Sequence, residues 1–232
     1  MSSSYDPLLD SNIQSSNTNK VLDLAKHAEN KRALIVQAGL LVLVLTILHA
    51  IFTHPIITFF APHPILNSLG LVFLAHALLL TQPPPISPVH KTLSGRIHGI
   101  LNTTAVVLFL TAFSSIFYNK AIHASPHITT WHGLFGITTY TLLSLILLFG
   151  ISIYWFPVKV FGSVAKAKSF YKYHRIAGYF TLTLASLTIL LALDSDYNNN
   201  VLHISYTVVG IAVTAIWGGL VLGLTPSRLG FI

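Results

Sequence analysis

The sequence has no cysteine and little charge: none of its 232 residues is cysteine, and only 8% are charged. Without cysteine the chain has no disulfide, no iron–sulfur ligation and no covalent attachment of a cofactor through thioether bonds. Ordinary soluble domains carry about 25% charged residues. The composition therefore disfavours a soluble domain.

Apolar sequence, by contrast, is abundant. Hydrophobic residues make up 53% of the chain, and the mean hydropathy is +0.71. The formal net charge is +7, but the basic residues are not gathered on one soluble surface, which argues against a nucleic-acid partner. The partner that this composition indicates is the lipid bilayer.

Six apolar runs follow a polar N-terminal segment, and each is long enough to cross, or nearly cross, a bilayer core of about 30 Å. The runs are Arg32–Phe52, Pro64–Leu80, Leu93–Phe117, Trp131–Phe156, Tyr173–Leu193 and Val201–Leu224. We therefore predict an all-α membrane protein with six transmembrane helices, in which spans two to five form a four-helix core. This membrane domain covers residues 32–225, between a disordered cytoplasmic tail of residues 1–31 and a cytoplasmic C-terminal tail of residues 226–232.

The distribution of positive charge predicts the orientation of the spans. With the N-terminus in the cytoplasm and six crossings, every lysine and arginine except Lys120 falls on the cytoplasmic side. This is a strong positive-inside bias, and it places both termini in the cytoplasm. The sequence is consistent with a multi-pass protein of the plasma membrane or of an endomembrane such as the vacuolar membrane.

Four histidines recur along the apolar chain at intervals of 35, 34 and 42 residues: His63, His98, His132 and His174. Because about 20 residues cross the bilayer core, successive histidines lie at opposite faces of the membrane. His63 and His132 pair at the outer face, and His98 and His174 pair at the inner face. Two histidines are too few for a structural zinc site, which takes four protein ligands, but they suffice for a haem, whose porphyrin leaves only the axial positions. The spacing predicts two non-covalent haem b groups per chain, with these histidines as axial ligands.

Other classes of protein remain open at this point. Membrane histidines also serve as packing residues, and a non-redox transporter could use them to relay protons or to bind a divalent metal. Such a transporter predicts acidic partners in the membrane, yet no predicted span contains Asp or Glu, and Asp194 and Asp196 lie just past the fifth. A haem-bearing cytochrome subunit of a larger redox complex is a further alternative.

The segments around the four histidines carry a family resemblance. They are His63-Pro64-Ile65-Leu66, Arg96-Ile97-His98-Gly99-Ile100-Leu101-Asn102, Trp131-His132-Gly133-Leu134-Phe135-Gly136 and Lys172-Tyr173-His174-Arg175-Ile176-Ala177-Gly178-Tyr179. Together they resemble the ligand segments of the cytochrome b561 family, six-span proteins with two b-type haems. The resemblance extends from about His54 to Asp194 and is closest to the short branch that has a single membrane domain.

This resemblance implies an ascorbate-dependent transmembrane oxidoreductase, in which electrons pass from cytoplasmic ascorbate to monodehydroascorbate or a ferric chelate on the far side. The haems themselves carry the catalysis. The resemblance also implies a homodimer.

The resemblance implies substrate residues at both mouths of the bundle. At the inner mouth Lys91, seven residues before His98, matches a basic residue of the family's ascorbate site. The second lysine expected there is replaced by Gly95, with Arg96 beside it. Besides Lys91, the inner cations that we predict to bind ascorbate are Arg96, Lys168 and Lys172, with Lys166 nearby. At the outer mouth Lys120 and His127 are candidates for an oxyanion or a ferric chelate, although a plain solvated loop would contain the same residues.

Overall fold

The computed structural model describes residues 19–26 and 30–229, and it is helical with no strand in those residues. The predicted all-α membrane fold is confirmed. Residues 19–26 are helical, although they belong to the segment that we predicted to be disordered. Residues 1–18 and 27–29 of that tail, and residues 230–232 at the end of the C-terminal tail, lie outside the described residues.

Eight α-helices follow residue 30 in the described part of the chain. They are α1 (Lys31–Phe52), α2 (Pro62–Thr81), α3 (Pro88–Ile122), α4 (Trp131–Trp155), α5 (Pro157–Phe161), α6 (Val164–Ser169), α7 (Tyr171–Ala192) and α8 (Tyr206–Val221). Helices α1 to α4, and α6 with α7, provide five helical segments long and apolar enough to cross a membrane. The sixth span, α8, is apolar but has 16 residues, a length of about 24 Å.

Helix α3 is longer than the sequence pattern indicated. Its apolar run begins at Leu93, but the helix begins at Pro88 because the Ser87 side chain caps it by accepting a hydrogen bond from the backbone N–H of His90. Proline at the first helical position fits such a start. His98 therefore lies about three turns into α3 rather than about one and a half.

The connection between the fourth and fifth spans is itself partly helical. It forms two short helices, α5 and α6, separated by Gly162 in the left-handed conformation at φ 81°. Three phenylalanines from this region pack together: Phe149 of α4, Phe161 of α5 and Phe170 next to α7, with Phe161 and Phe170 ring centroids 4.9 Å apart. This aromatic cluster fixes the short helices against the inner end of α4.

The first and last spans pack closely against each other and cover one side of the bundle. Helix α1 packs on α8 and α2, and α8 also contacts α7. A Cβ atom added at Gly39 would lie 2.8 Å from the carbonyl oxygen of Ala212, so the two backbones approach too closely for a side chain there. Small residues at such contacts are typical of membrane helices.

Helices α2, α3, α4 and α7 form the four-helix unit that carries the four histidines. Within it α2 packs along α3, and α4 packs along α7, while α3 and α4 share a smaller contact. Because these helices alternate in direction, the histidines near their ends fall at two levels of the bundle.

Candidate cofactor sites

The structure brings the four histidines together in two pairs, each made across a diagonal of the four-helix unit. His63 of α2 faces His132 of α4, with ring centroids 6.1 Å apart and ring planes at 89°. His98 of α3 faces His174 of α7, with ring centroids 6.2 Å apart and ring planes at 72°. These are the pairs that the spacing along the sequence predicts.

The separation of the rings matches the space that one metal ion with two axial imidazoles requires. A bond between a metal and an imidazole nitrogen is about 2.0–2.1 Å long, and each ring nitrogen lies about 1.1 Å from its ring centre, so two such ligands place their centroids about 6.2–6.4 Å apart. Among the described residues, no group of three or more His, Cys, Asp or Glu side chains could hold a metal ion. Each pair thus fits a group that brings its own equatorial ligands, as a porphyrin does.

Three of the four histidines are oriented by hydrogen bonds to the backbone of a neighbouring helix. Their Nδ1 atoms contact carbonyl oxygens: His63 with Ala112 at 3.2 Å, His98 with Ala77 at 2.9 Å, and His132 with Thr188 at 2.9 Å. A carbonyl oxygen only accepts, so each Nδ1 carries the proton and donates it. Nε2 is then the free nitrogen, and such a hydrogen bond holds a ligand ring in place and raises its basicity.

His174 is held differently from the other three. Its Nδ1 atom is buried and has no hydrogen-bond partner. Its ring instead lies against the backbone of Gly150 on α4, where an added Cβ atom would come within 2.9 Å of Cε1. The Phe149 ring packs nearby, with its centroid 6.3 Å from that of His174. Close packing against a glycine therefore replaces the hydrogen bond.

The same contacts give the distance between the two sites. Nδ1 of His63 bonds to the carbonyl oxygen of Ala112, which lies 14 residues beyond His98 on α3. Nδ1 of His98 bonds to the carbonyl oxygen of Ala77, which lies 14 residues beyond His63 on α2. At about 1.5 Å per residue both spacings correspond to about 21 Å along the bundle. In a bilayer core about 30 Å thick, this separation places one site toward each face of the membrane.

Each site also joins the two helix pairs of the bundle. His63 and His98 belong to the α2–α3 pair, whereas His132 and His174 belong to the α4–α7 pair. A group bound at either site would therefore be ligated once from each pair.

At the inner mouth, four of the basic residues predicted from sequence are exposed. Lys91 and Arg96 lie on the first turns of α3, Lys168 lies on α6, and Lys172 lies at the start of α7 with its Nζ atom 5.0 Å from the Tyr173 ring centroid. They are exposed cations on the segments that lead into the two inner histidines.

Gly95, where the resemblance led us to expect a lysine, lies beside Tyr154 of α4. A Cβ atom at Gly95 would lie 3.1 Å from Cε2 of Tyr154, so the Tyr154 ring of α4 occupies the space beside this position. The Tyr154 hydroxyl also donates to the carbonyl oxygen of Thr92 at 3.3 Å. The Tyr154 ring thus fills the space that a side chain at position 95 would otherwise take.

At the outer mouth, the two predicted substrate residues take part in the structure of the α3–α4 loop. Lys120 donates from Nζ to the carbonyl oxygen of Pro126 at 3.0 Å, and the His127 ring stacks on Phe117 with centroids 4.2 Å apart. Lys120 lies in the last turn of α3, at the outer end of the helix. Both side chains are therefore held by the connection that leads from α3 to His132 on α4.

Sequence reasoning missed a groove beside the outer pair. It has a volume of about 580 Å³ and is lined by His132 together with Thr130, Trp131, Asp194 and Ser195 among others. Its walls come from the α3–α4 loop with the start of α4, and from the end of α7, which is far from them in sequence. No local pattern indicates that they meet.

The fold and the two sites define a class of protein: a helical membrane protein with paired histidines at two levels of one bundle. The model of the eukaryotic cytochrome b561 family matches residues 62–199, and the chain belongs to this family. It is also similar to the protein named transmembrane reductase CYB561D2 of Bos taurus, with 28% identity over 162 residues that cover 68% of this chain and 71% of that protein. The prediction of this family, in its single-domain branch, is confirmed.

Proposed function

We propose that this protein moves electrons across a membrane, from cytoplasmic ascorbate to monodehydroascorbate or a ferric chelate on the opposite side. Membership of the cytochrome b561 family supports transmembrane electron transfer, and a relative's name, transmembrane reductase, supports an oxidoreductase. The observation that carries the proposal is the pair of ring separations, 6.1 and 6.2 Å, at two levels of the bundle.

Two b haems, one between His63 and His132 and one between His98 and His174, would supply one-electron carriers whose axial positions are both filled. The chain's own contribution is to hold and orient these ligands. Backbone carbonyls keep three of the rings with Nε2 free, and Gly150 provides the space that His174 needs. Buried apolar side chains, among them Leu71, Val106 and Leu143, pack together in the core of the bundle.

The inner mouth is proposed to receive the donor. Ascorbate is an anion near neutral pH, and exposed cations beside a narrow mouth raise the local concentration of an anion by steering it. Lys91 and Arg96 precede His98 on α3, and Lys168 and Lys172 precede His174. Cations therefore lie on both of the chain segments that lead into the inner histidine pair.

The outer mouth is proposed to deliver the electron to the acceptor. Lys120 is a cation in the last turn of α3, just before the loop that leads to His132, and His127 in that loop presents an exposed ring. Both residues suit an anionic acceptor such as monodehydroascorbate or a ferric chelate.

The proposed setting is a plasma membrane or an endomembrane, with both termini in the cytoplasm and with a homodimer as the assembly. The spans contain no Asp or Glu, which gives the proton or metal transporter no acidic partner in the membrane. Electron transfer therefore accounts better for the four histidines.

Reconstitution into liposomes tests the proposal. Vesicles would trap a ferric chelate, and ascorbate would be added to the face that exposes Lys91. We expect reduction of the trapped chelate by the wild type and none by the matched variant His98→Ala/His174→Ala. Equal rates for the two proteins would contradict the proposal.

A further inference from the structure

A hydrogen-bond network ties the outer ligand His63 to the opposite side of the bundle. Asn67, one turn after His63 on α2, donates from Nδ2 to the His63 carbonyl oxygen at 2.7 Å. Tyr140 donates from its hydroxyl to Oδ1 of Asn67 at 2.8 Å. Tyr140 belongs to α4, the helix that carries His132. The network therefore crosses the same diagonal as the outer histidine pair.

The chemistry of the partners determines the orientation of the Asn67 amide. The His63 carbonyl oxygen only accepts, so the amide nitrogen faces it, and the amide oxygen is left to accept from the Tyr140 hydroxyl. Nδ2 of Asn67 also lies 3.4 Å from Nδ1 of His63, so the amide sits beside the ligand ring. Without the Tyr140 hydroxyl, Oδ1 of Asn67 would lose its hydrogen-bond donor, and the amide could rotate away from the His63 ring.

Tyr140 lies between the two levels of the bundle. It follows His132 by eight residues, a distance of about 12 Å along α4, and its ring packs on Phe109 and Phe113 with centroids 6.1 and 5.7 Å apart. Such apolar surroundings strengthen a hydrogen bond and make an unpaired partner costly.

The inner site lacks a tyrosine at the position that corresponds to Tyr140. Asn102 follows His98 by one turn and donates to the His98 carbonyl oxygen at 2.7 Å, as Asn67 does for His63. The residue eight positions after His174, which corresponds to Tyr140, is Leu182. It is 1% exposed and offers no hydroxyl. The network thus distinguishes the outer site from the inner one.

We propose that Tyr140 is a positioning residue for the outer haem: through Asn67 it holds His63 at its distance and orientation opposite His132. The inference rests on the proposed function, because it requires a haem at the outer site. It assigns to one hydroxyl group the role of keeping α2 and α4 in register at that site.

A double-mutant cycle in the haem-loaded protein tests the inference. Tyr140→Phe keeps the packed ring and removes only the hydroxyl, and it would be compared with Asn67→Ala and with the double variant. The rate at which each haem transfers to apomyoglobin is one readout. The low-spin ferric EPR spectrum is the other, since it depends on the angle between the two imidazole planes.

We expect Tyr140→Phe to speed loss of the outer haem about two- to tenfold, the size of one hydrogen bond, and to change the outer EPR signal alone. In the Asn67→Ala background the same substitution should have no further effect. Asn102→Ala, the matched control, should leave the outer haem unchanged.

Two results would overturn the inference: a Tyr140→Phe protein with wild-type haem loss and EPR signals, or effects of Tyr140→Phe and Asn67→Ala that simply add. The first result does not depend on the folding of Asn67→Ala. A wild-type protein that takes up no haem would instead overturn the proposed function, so the two failures are distinguishable.

Discussion

The contact between Gly150 and His174 leads to a sharp prediction for the inner site. In Gly150→Ala the new Cβ atom would lie 2.9 Å from Cε1 of His174, closer than carbon atoms approach without displacement. The neighbouring Phe149 ring leaves His174 little freedom to move aside. The substitution therefore displaces the His174 ring from its position opposite His98.

The size of this effect follows from known costs of overpacking. Inserting a methyl group into a packed site costs about 1–3 kcal/mol. If that strain is relieved when the inner haem leaves, the affinity for this haem falls by about 5- to 150-fold. The outer haem should be retained, because its ligands lie at the other level of the bundle.

Haem content per folded protein, followed during dilution, measures this loss. Gly210→Ala is the matched control, since an added Cβ atom there has no neighbouring atom within 4 Å and α8 carries none of the four histidines. Spectra of His98→Ala/His174→Ala identify which haem is lost. Full retention of the inner haem in Gly150→Ala, or equal loss in Gly210→Ala, would refute the packing argument.

Three further predictions concern the outer pair, the inner mouth and the α1–α8 contact. His63→Ala/His132→Ala should retain about half of the wild-type haem by pyridine haemochrome assay; loss of all haem would show that the sites are not independent. Lys91→Ala/Arg96→Ala should raise the KM for ascorbate and weaken its salt dependence in stopped-flow reduction, because cations steer an anion over a Debye length of about 8 Å; unchanged salt dependence would assign both residues to topology alone. Gly39→Ala should lower the stability of the folded protein by about 1–3 kcal/mol without changing the haem ratio, as thermal unfolding would report; an unchanged Tm would contradict the close approach of α1 and α8.

Much of the candidate site was predictable because it depends on where helices begin and end. Histidines separated by one membrane crossing and the connection that reverses the chain must alternate between the two membrane faces. The pairing of His63 with His132 therefore needs no knowledge of helix packing. The pairing of diagonal helices then follows from an up-and-down bundle. These steps use only distances along the chain.

The remaining features depend on how helices rotate and approach one another, which spacing does not determine. The carbonyl partner of His98 is Ala77 on another helix, and the absence of such a partner for His174 reflects its packing on Gly150. The network from Tyr140 to Asn67 likewise joins residues 73 positions apart. The only sequence signal for it is that Asn67 and Asn102 each follow a ligand histidine by one turn.

The early start of α3 has a different cause. Apolar runs mark the part of a helix that lies in the membrane, whereas the helix itself begins at its cap. The serine and proline at positions 87 and 88 signal that start, but they lie outside the apolar run.

The haem content of the purified protein and its spectrum after reduction by ascorbate test the central claim most directly. Expression with an adequate supply of haem should yield a coloured protein with two b haems per chain, both reducible by ascorbate and both low-spin, because each iron has two histidine ligands. A colourless protein, or one haem per folded chain, would contradict the assignment of two histidine pairs to two haems.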